Sequence, residues 1–205
     1  MPLQDHWNSL YQKAQTDRLG WYESLPQPSL DLIEACGLPK DARIFHAGAG
    51  ASTLVDALLE AGYSGQIACD ISAEALQKVQ DRLGAEAGKV AWIVDDLTQP
   101  AQLKDLAPVH LWHDRAVLHF FTEEKDQQTY FDLLRQLLQP GGYAILATYN
   151  LRGVERCAGL PVKRYDASLL TEKLGPGFQL RQAFDFTYHM PSGEERPYVY
   201  TVFQR

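Results

Sequence analysis

The sequence predicts an α/β fold with a doubly wound, mostly parallel sheet. Short apolar runs alternate along the chain with longer segments whose apolar residues recur at helical spacing. The first apolar run, residues 44–47, passes directly into a turn that holds Gly48 and Gly50, and a helical pattern follows. A strand, a glycine turn and a helix in this order bring bare backbone and a helix N-terminus up to a ligand. The turn therefore predicts a site for a nucleotide-like cofactor.

The composition is that of one globular domain. The chain has 205 residues, 45% hydrophobic and 22% charged, with a formal net charge of −7. An acidic chain without clustered Lys and Arg argues against nucleic-acid and anionic-membrane partners. Its three cysteines form neither a disulfide framework nor a zinc motif, and no signal pattern or bilayer-length apolar run is present. We expect a cytoplasmic protein without a metal; the oligomeric state is not readable from the sequence.

The predicted elements follow one another with short connections. Residues 1–39 form an aromatic-rich, helical lead-in, where Ser29 is the expected N-cap of a helix. Residues 40–205 form the predicted domain proper. Its first five strands are expected at 44–47, 66–69, 90–94, 109–113 and 143–149, and its helices at 53–61, 73–83 and 123–138. The Pro-Gly-Gly sequence at 140–142 is expected to end the last of these helices.

The final third of the chain predicts a change from parallel to antiparallel pairing. After a helix at 167–174, two extended runs at 179–188 and 198–204 are joined by the turn residues 191–193. Such a pattern is typical of a β-hairpin. The parallel sheet thus gains an antiparallel strand, and no repeat or linker indicates a second domain.

Acidic residues follow two of the predicted strands. Asp70, at the end of the second strand, is placed to accept hydrogen bonds from two ribose hydroxyls. Asp96, after the third strand, can accept from an adenine amine, with Leu97 packed on the ring. An Asp after a strand is also a common helix N-cap, so the prediction depends on the ordered set rather than on one residue.

Two nucleoside cofactors compete for this site. A nicotinamide dinucleotide needs its pyrophosphate cradled by Gly-x-Gly-x-x-Gly, and Thr53 stands at the third glycine position. This substitution disfavours an NAD(P)-dependent oxidoreductase, which stays as the alternative. A module that binds the nucleoside without catalysis is the third possibility.

Four short motifs occur in order: the glycine turn at 47–50, Asp70, Asp96 with Leu97, and Pro-Gly-Gly at 140–142. With the terminal hairpin, they resemble the class I S-adenosylmethionine-dependent methyltransferases over about residues 40–205, in particular small bacterial methyltransferase domains of types 25 and 12. The resemblance implies a Rossmann-like, seven-stranded sheet with an antiparallel C-terminal strand, and S-adenosylmethionine as the cofactor. The cofactor contacts that it implies are His46, Ala47, Gly48, Gly50, Ser52, Asp70, Ile71, Asp96, Leu97 and His113.

His46 departs from the family pattern, which usually has Asp or Glu two residues before the first glycine of the turn. A neutral imidazole can accept or relay a hydrogen bond near the amino group of the cofactor. It can equally be a packed histidine without a ligand role. The sequence leaves both interpretations open.

The segment 112–121, after the fourth strand, faces the reacting end in this fold and is dense in polar and aromatic groups. Methyl transfer requires a well-positioned nucleophile, and a base only if the nucleophile arrives protonated. Asp114 and His119 are the candidate bases or substrate orienters, and Arg115 can hold a carboxylate or pair with Asp114. Asp114 could also cap the next turn, and His119 could simply pack. Tyr149, which ends the fifth strand, is an expected substrate contact.

Two further resemblances concern the methyl acceptor. The Asp-Arg-Ala sequence at 114–116 looks like the corresponding segment of thiopurine and related thiol methyltransferases, which implies a soft small-molecule nucleophile. Trp21, Tyr22 and Glu23 resemble the opening of small lysine methyltransferases, where aromatic and acidic side chains would hold an ammonium group. The expected function is methyl transfer to a small thiol or amine, or to a protein lysine.

Overall fold

The computed structural model describes residues 3–205, which form a seven-stranded sheet between two layers of helices. The helices are α1 (Leu3–Lys13), α2 (Gln27–Ala35), α3 (Leu54–Glu60), α4 (Ala73–Leu83), α5 (Glu124–Leu137) and α6 (Ala167–Leu174). The strands are β1 (Ile44–Ala47), β2 (Gln66–Asp70), β3 (Ala91–Val94), β4 (Val109–Arg115), β5 (Leu138–Tyr149), β6 (Arg156–Cys157), β7 (Leu160–Pro161), β8 (Gln179–His189) and β9 (Glu195–Gln204).

The strand order in the large sheet is β3-β2-β1-β4-β5-β9-β8. The strands from β3 to β5 are parallel, and β9 runs antiparallel to both of its neighbours, β5 and β8. The predicted doubly wound sheet with an antiparallel C-terminal strand is therefore confirmed. The reversal of order beside β1 creates the crevice at which such sheets bind ligands.

The central strands are buried on both faces, which is why they read as continuous apolar runs. On one face Phe45 and Trp112 pack with residues of α5 and α6, and on the other Ile44, Leu58 and Ile145 pack with residues of α2 and α3. Each fully buried side chain of this size contributes about 1.5–3 kcal/mol to folding. Among residues 3–205, no helix is long and apolar enough to cross a membrane.

Two sequence expectations about local structure were wrong. Residues 140–142 do not precede the fifth strand but lie inside it, because β5 begins at Leu138 and a shift of register against β4 absorbs the extra residues. Ser29 is not an N-cap: it lies within α2, is buried, and is 2.9 Å from His113 Nε2 through its hydroxyl. The short β6–β7 hairpin in the loop after β5 had not been predicted.

The helix α1 is fixed against the start of α4 by side-chain hydrogen bonds. Gln4 Nε2 donates to the carbonyl of Ile71 at 3.1 Å, and the Ser72 hydroxyl donates to Asn8 Oδ1 at 2.8 Å. Gln12 Nε2 donates to Glu74 Oε1 at 3.0 Å. These contacts hold α1 across the carboxyl end of β2. The division of the chain at residues 39 and 40 stays a prediction.

Candidate active site

A cavity lies at the carboxyl ends of β1, β2, β3 and β4, beneath α1 and the segment that follows it. Three of the predicted substrate residues, Trp21, Tyr22 and Glu23, and one of the predicted catalytic residues, Arg115, line this cavity. All ten predicted cofactor residues line it as well: His46, Ala47, Gly48, Gly50, Ser52, Asp70, Ile71, Asp96, Leu97 and His113. The ten predicted cofactor residues, which lie at or after separate strands in the sequence, are thus brought together in one cavity.

The glycine turn has no room for side chains at either glycine. Gly48 and Gly50 have φ values of 69° and 54°, in the left-handed region that favours glycine. A Cβ atom on Gly48 would lie 2.3 Å from Val117 Cγ2, and one on Gly50 would lie 2.6 Å from Tyr11 Oη. The bare backbone of the turn therefore forms part of the cavity wall, as close approach to a ligand requires.

The Asp70 carboxylate is tied to the glycine turn. Its Oδ2 accepts a hydrogen bond from the Gly50 amide at 2.7 Å, and its Oδ1 accepts from the Ser72 amide at 2.8 Å. Burial raises the pKa of this carboxyl to about 6, and these amide donors only partly offset that effect. Each oxygen keeps acceptor capacity for a further donor. The carboxylate is therefore positioned for a pair of ligand hydroxyls.

Two aspartates after β3 have different roles. Asp95 caps the following loop, since its carboxylate accepts from the amides of Ala101, Gln102 and Leu103 at 2.8–3.1 Å. Asp96 accepts from the amide and hydroxyl of Thr98, and both bonds are made to Oδ1. Its other oxygen, Oδ2, is left for a different donor. Asp96 is the better ligand contact of the two.

His46 and His113 form an uncharged pair at the ends of β1 and β4. Gln66 Nε2 donates to the carbonyl of Val55, so Gln66 Oε1 faces His46 Nε2 at 3.0 Å and accepts a hydrogen bond from its N–H group. This leaves His46 Nδ1 as an acceptor. Burial lowers the pKa of His46 to about 4 and that of His113 well below its usual value. His46, at the position where the resemblance implied a carboxylate, is therefore a neutral imidazole at physiological pH.

Arg115 forms a buried ion pair at the cavity wall. Its Nε lies 3.0 Å from Glu23 Oε2, and each of the two side chains is only 10% exposed. The guanidinium also donates to Tyr200 Oη at 3.1 Å and to the carbonyl of Trp21 at 3.0 Å. Of the two roles expected for Arg115, the pairing with Asp114 is wrong, because the guanidinium pairs with the carboxylate of Glu23 instead.

Asp114 faces away from the cavity, which corrects the expectation of a general base. Its carboxylate accepts from Tyr130 Oη at 2.7 Å and from the amides of Val117 and Leu118 at 3.1 Å, and Trp112 Nε1 donates to Tyr130 Oη at 3.0 Å. Burial raises the pKa of this carboxyl to about 7. Asp114 thus has the capping role that the sequence left open, and it holds Val117 against the glycine turn.

Replacing Tyr130 with Phe is expected to lower the free energy of unfolding by about 1–3 kcal/mol, because two buried polar groups lose their shared partner. Urea denaturation measures the change. Tyr143→Phe is the matched control, because Tyr143 makes no side-chain hydrogen bond within residues 3–205. Equal stability of the two variants would contradict the capping network.

His119 and Tyr149 also lie outside the cavity wall, contrary to their predicted contact with substrate. Both are buried, and their rings stack with centroids 4.3 Å apart. Neither ring nitrogen of His119 has a hydrogen-bond partner within residues 3–205, and burial lowers its pKa to about 3. Tyr149 Oη instead lies 3.3 Å from Cys157 Sγ. His119 thus packs behind the wall, as the alternative interpretation held.

The sequence analysis missed the aromatic cover that α1 supplies. Trp7 and Tyr11 line the cavity together with Phe120. The Trp7 ring meets those of Phe120 and Trp21 at centroid distances of 5.0 and 5.7 Å, and Trp21 Nε1 donates to Tyr11 Oη at 3.2 Å. The available signal was the spacing of Trp7 and Tyr11, four residues apart on one face of a predicted helix.

Residues 45–144 match the sequence profile of a methyltransferase domain. No curated protein has significant sequence similarity to the chain. The matched range contains the glycine turn, Asp70 and Asp96.

Solved structures match the chain over nearly its whole length. A methyltransferase described as S-adenosylmethionine-dependent, from Anabaena variabilis, has a TM-score of 0.77 at 15% identity, covering 100% of this chain and 96% of its own. The 1,6-didemethyltoxoflavin-N1-methyltransferase of Burkholderia thailandensis, solved with its substrate and S-adenosylhomocysteine, has a TM-score of 0.70 at 19% identity, covering 99% and 87%. A protein that converts a disulfide into a thioacetal during echinomycin biosynthesis has a TM-score of 0.78 at 18% identity, covering 99% and 93%. At these identities the likeness shows the fold.

Proposed function

We propose that the chain, whose residues 45–144 match a methyltransferase-domain profile and whose fold is that of S-adenosylmethionine-dependent methyltransferases, transfers a methyl group from S-adenosylmethionine to a small-molecule nucleophile, a thiol or an amine. The observation that carries the proposal is the convergence of the glycine turn, Asp70 and Asp96 on one cavity. The toxoflavin-precursor methyltransferase of the same fold also acts on a small molecule.

The residues of the cavity fit this cofactor. Asp70 would accept from the ribose hydroxyls, and Asp96 Oδ2 would accept from the adenine amine. The bare turn at Gly48 and Gly50 would lie against the methionine part. When bound, S-adenosylmethionine supplies an electrophilic methyl group on a sulfonium centre. These side chains bind and orient, and none of them has to move a proton to do so.

The aromatic wall of the cavity suits a small acceptor. Trp21, Tyr22 and Phe120 line the cavity, and the Trp7 ring of α1 packs on Phe120 and Trp21. Thr53 Oγ1 donates to the carbonyl of Glu23 at 2.8 Å and fixes the segment that closes this side. An enclosed aromatic wall excludes water and favours a compact, partly apolar nucleophile over a side chain on a folded protein.

Calorimetric titration with S-adenosylhomocysteine and with NAD tests the cofactor. Binding of NAD but not of S-adenosylhomocysteine would support the oxidoreductase alternative and end the proposal. Transfer of radiolabelled methyl into small thiols, small amines and a cell lysate then tests the acceptor. Label in macromolecules alone would exclude a small acceptor, and binding without any transfer would favour a non-catalytic module.

Cofactor affinity is expected to fall below about pH 6. The folded pKa of Asp70, about 6, exceeds the ordinary value of 3.8, so this carboxyl becomes protonated in the range where free carboxyls stay ionised. A protonated Asp70 loses acceptor capacity for ribose hydroxyls, so the affinity for S-adenosylhomocysteine should drop up to about tenfold per pH unit. In the ligand-free protein the same shift favours the folded state at low pH, and this contribution is lost as the pH rises through 6.

Calorimetry from pH 5 to 8 measures this dependence. Asp70→Asn is the control, because its amide does not titrate and its weaker affinity should not vary with Asp70 protonation. A wild-type affinity that stays constant between pH 5 and 7 would contradict the assignment of Asp70 to the ribose.

A further inference from the structure

Arg115 is the only Lys or Arg among the described residues that line the cavity. The acidic side chains that line it are those of Glu23, Asp70, Asp95 and Asp96. A ligand carboxylate in this space would be repelled by these four side chains, and the Arg115 guanidinium is the one cationic Lys or Arg group among the described lining residues. Any anionic group bound here therefore depends on Arg115 for its counter-charge.

The guanidinium is incompletely paired. Its Nε donates to Tyr200 and its Nη1 to the carbonyl of Trp21, whereas Nη2 is buried without a hydrogen-bond partner within residues 3–205. Glu23 approaches from the side of Nε and leaves Nη2 unused. An Arg–carboxylate pair is strongest when two parallel N–H groups bind both oxygens, and a buried donor without a partner is costly. The pair with Glu23 is not bidentate, and it leaves the buried Nη2 donor without a partner among residues 3–205.

The Glu23 side chain borders a second space besides the cavity. It also lines an outer groove that residues of α2 and β8 form on the other side of the segment. The backbone around it is fixed, because Tyr188 donates to the carbonyl of Tyr22 and Thr53 donates to the carbonyl of Glu23. Rotation of one side chain into the groove would therefore free the guanidinium without moving the chain.

We propose that Arg115 is the carboxylate-binding group of the cavity. Glu23 pairs with its guanidinium until a ligand carboxylate displaces the Glu23 side chain. This inference rests on the proposed function. Asp70 and Asp96 assign the nucleoside to the ends of β2 and β3, which leaves the end of β4, with Arg115, for the rest of the ligand. The carboxylate belongs either to the methionine part of the cofactor or to the acceptor.

Calorimetry on the full chain distinguishes the two sources. One arm compares S-adenosylhomocysteine with its decarboxylated analogue, and the other compares benzoate with benzamide at saturating S-adenosylhomocysteine. A preference of about 10–100-fold for the carboxylate in the first arm identifies the cofactor, and the same preference in the second identifies the acceptor. Equal binding in both pairs overturns the proposal, while failure of S-adenosylhomocysteine to bind at all overturns the proposed function instead.

Two variants separate ligand binding from a structural role. Arg115→Gln should abolish the preference for the carboxylate ligand. Glu23→Gln, which keeps the size of the side chain and removes the competing charge, should raise the affinity for that ligand about tenfold. Weaker binding in both variants would show that the ion pair only supports the fold and would overturn the displacement.

Discussion

Asp70→Ala is expected to reduce the affinity for S-adenosylhomocysteine by roughly 100-fold or more. Two ribose hydroxyls would lose a buried carboxylate acceptor, and hydrogen bonds to charged groups contribute about 1.5–3 kcal/mol each. The same substitution removes the acceptor for the Gly50 amide, so the glycine turn also loses its tie to β2. Isothermal titration calorimetry measures the affinity, and methyl transfer should fall in parallel at limiting cofactor concentration.

Asp185→Ala provides the matched control. Asp185 lies on the edge strand β8, half exposed and paired with Arg152, and does not line the cavity. Asp185→Ala also removes one aspartate carboxylate, but at a position away from the cavity. Its affinity for S-adenosylhomocysteine should therefore equal that of the wild type. Comparable affinities in the two variants would remove Asp70 from the binding site.

Gly48→Ala is expected to destabilise the fold by about 2–5 kcal/mol and to abolish cofactor binding. An alanine at a positive φ costs about 1–2 kcal/mol. Its Cβ would also lie 2.3 Å from Val117 Cγ2, and overpacking of this kind typically costs about 1–3 kcal/mol. Relief of the contact must move either the turn or the Asp114-capped loop, and both form the cavity wall. Thermal denaturation and calorimetry measure the two effects.

Gly37→Ala isolates the conformational part of this cost. Gly37, which follows α2, has a φ of 64°, close to that of Gly48, and a Cβ there would have no atom within 4 Å. Its substitution should destabilise the fold by about 1 kcal/mol and leave binding intact. A second substitution, Val117→Ala, should partly restore the Gly48→Ala protein. No difference between the two glycine variants would show that the contact with Val117 is unimportant.

The parallel strands and the residues that line the cavity at the ends of β1, β2 and β3 were predictable because their signals are local. Each parallel strand is a short apolar run, and the polar or glycine residue that follows it must lie at one edge of the sheet. Gly48, Asp70 and Asp96 were found in this way without knowledge of any tertiary contact. The seven strands came from the family resemblance, since the sequence alone did not fix the position of the hairpin.

The error at Asp114 has a simple physical origin. Side chains on a strand alternate between faces, so Asp114 shares a face with Trp112, whereas His113 and Arg115 lie on the opposite face. Trp112 is fully buried in the core beside α5, so Asp114 is directed to the same side. The alternation was available in the sequence and would have separated Asp114 from the cavity.

Contacts between distant segments could not be read from the sequence. The cover by Trp7 and Tyr11 depends on where α1 docks, and the pairing of Glu23 with Arg115 depends on a segment with no regular structure. The helical spacing of Trp7 and Tyr11 shows that they share a face but not where that face packs, and the segment around Glu23 has no periodic pattern. The register shift in β5 is likewise set by its pairing with β4 rather than by residues 140–142 alone.

The surroundings of Arg115 also bear on the order in which the chain becomes functional during synthesis. Its guanidinium is held by Trp21, 94 residues away, and by Tyr200, 85 residues away in the other direction. Because β9 carries Tyr200 and inserts between β5 and β8, the edge of β5 stays open until this strand has left the ribosome. A nascent chain that stops before residue 200 would possess the glycine turn, Asp70 and Asp96, but its Arg115 guanidinium would lack the Tyr200 hydroxyl. Binding of a carboxylate ligand at Arg115 would then require synthesis through β9.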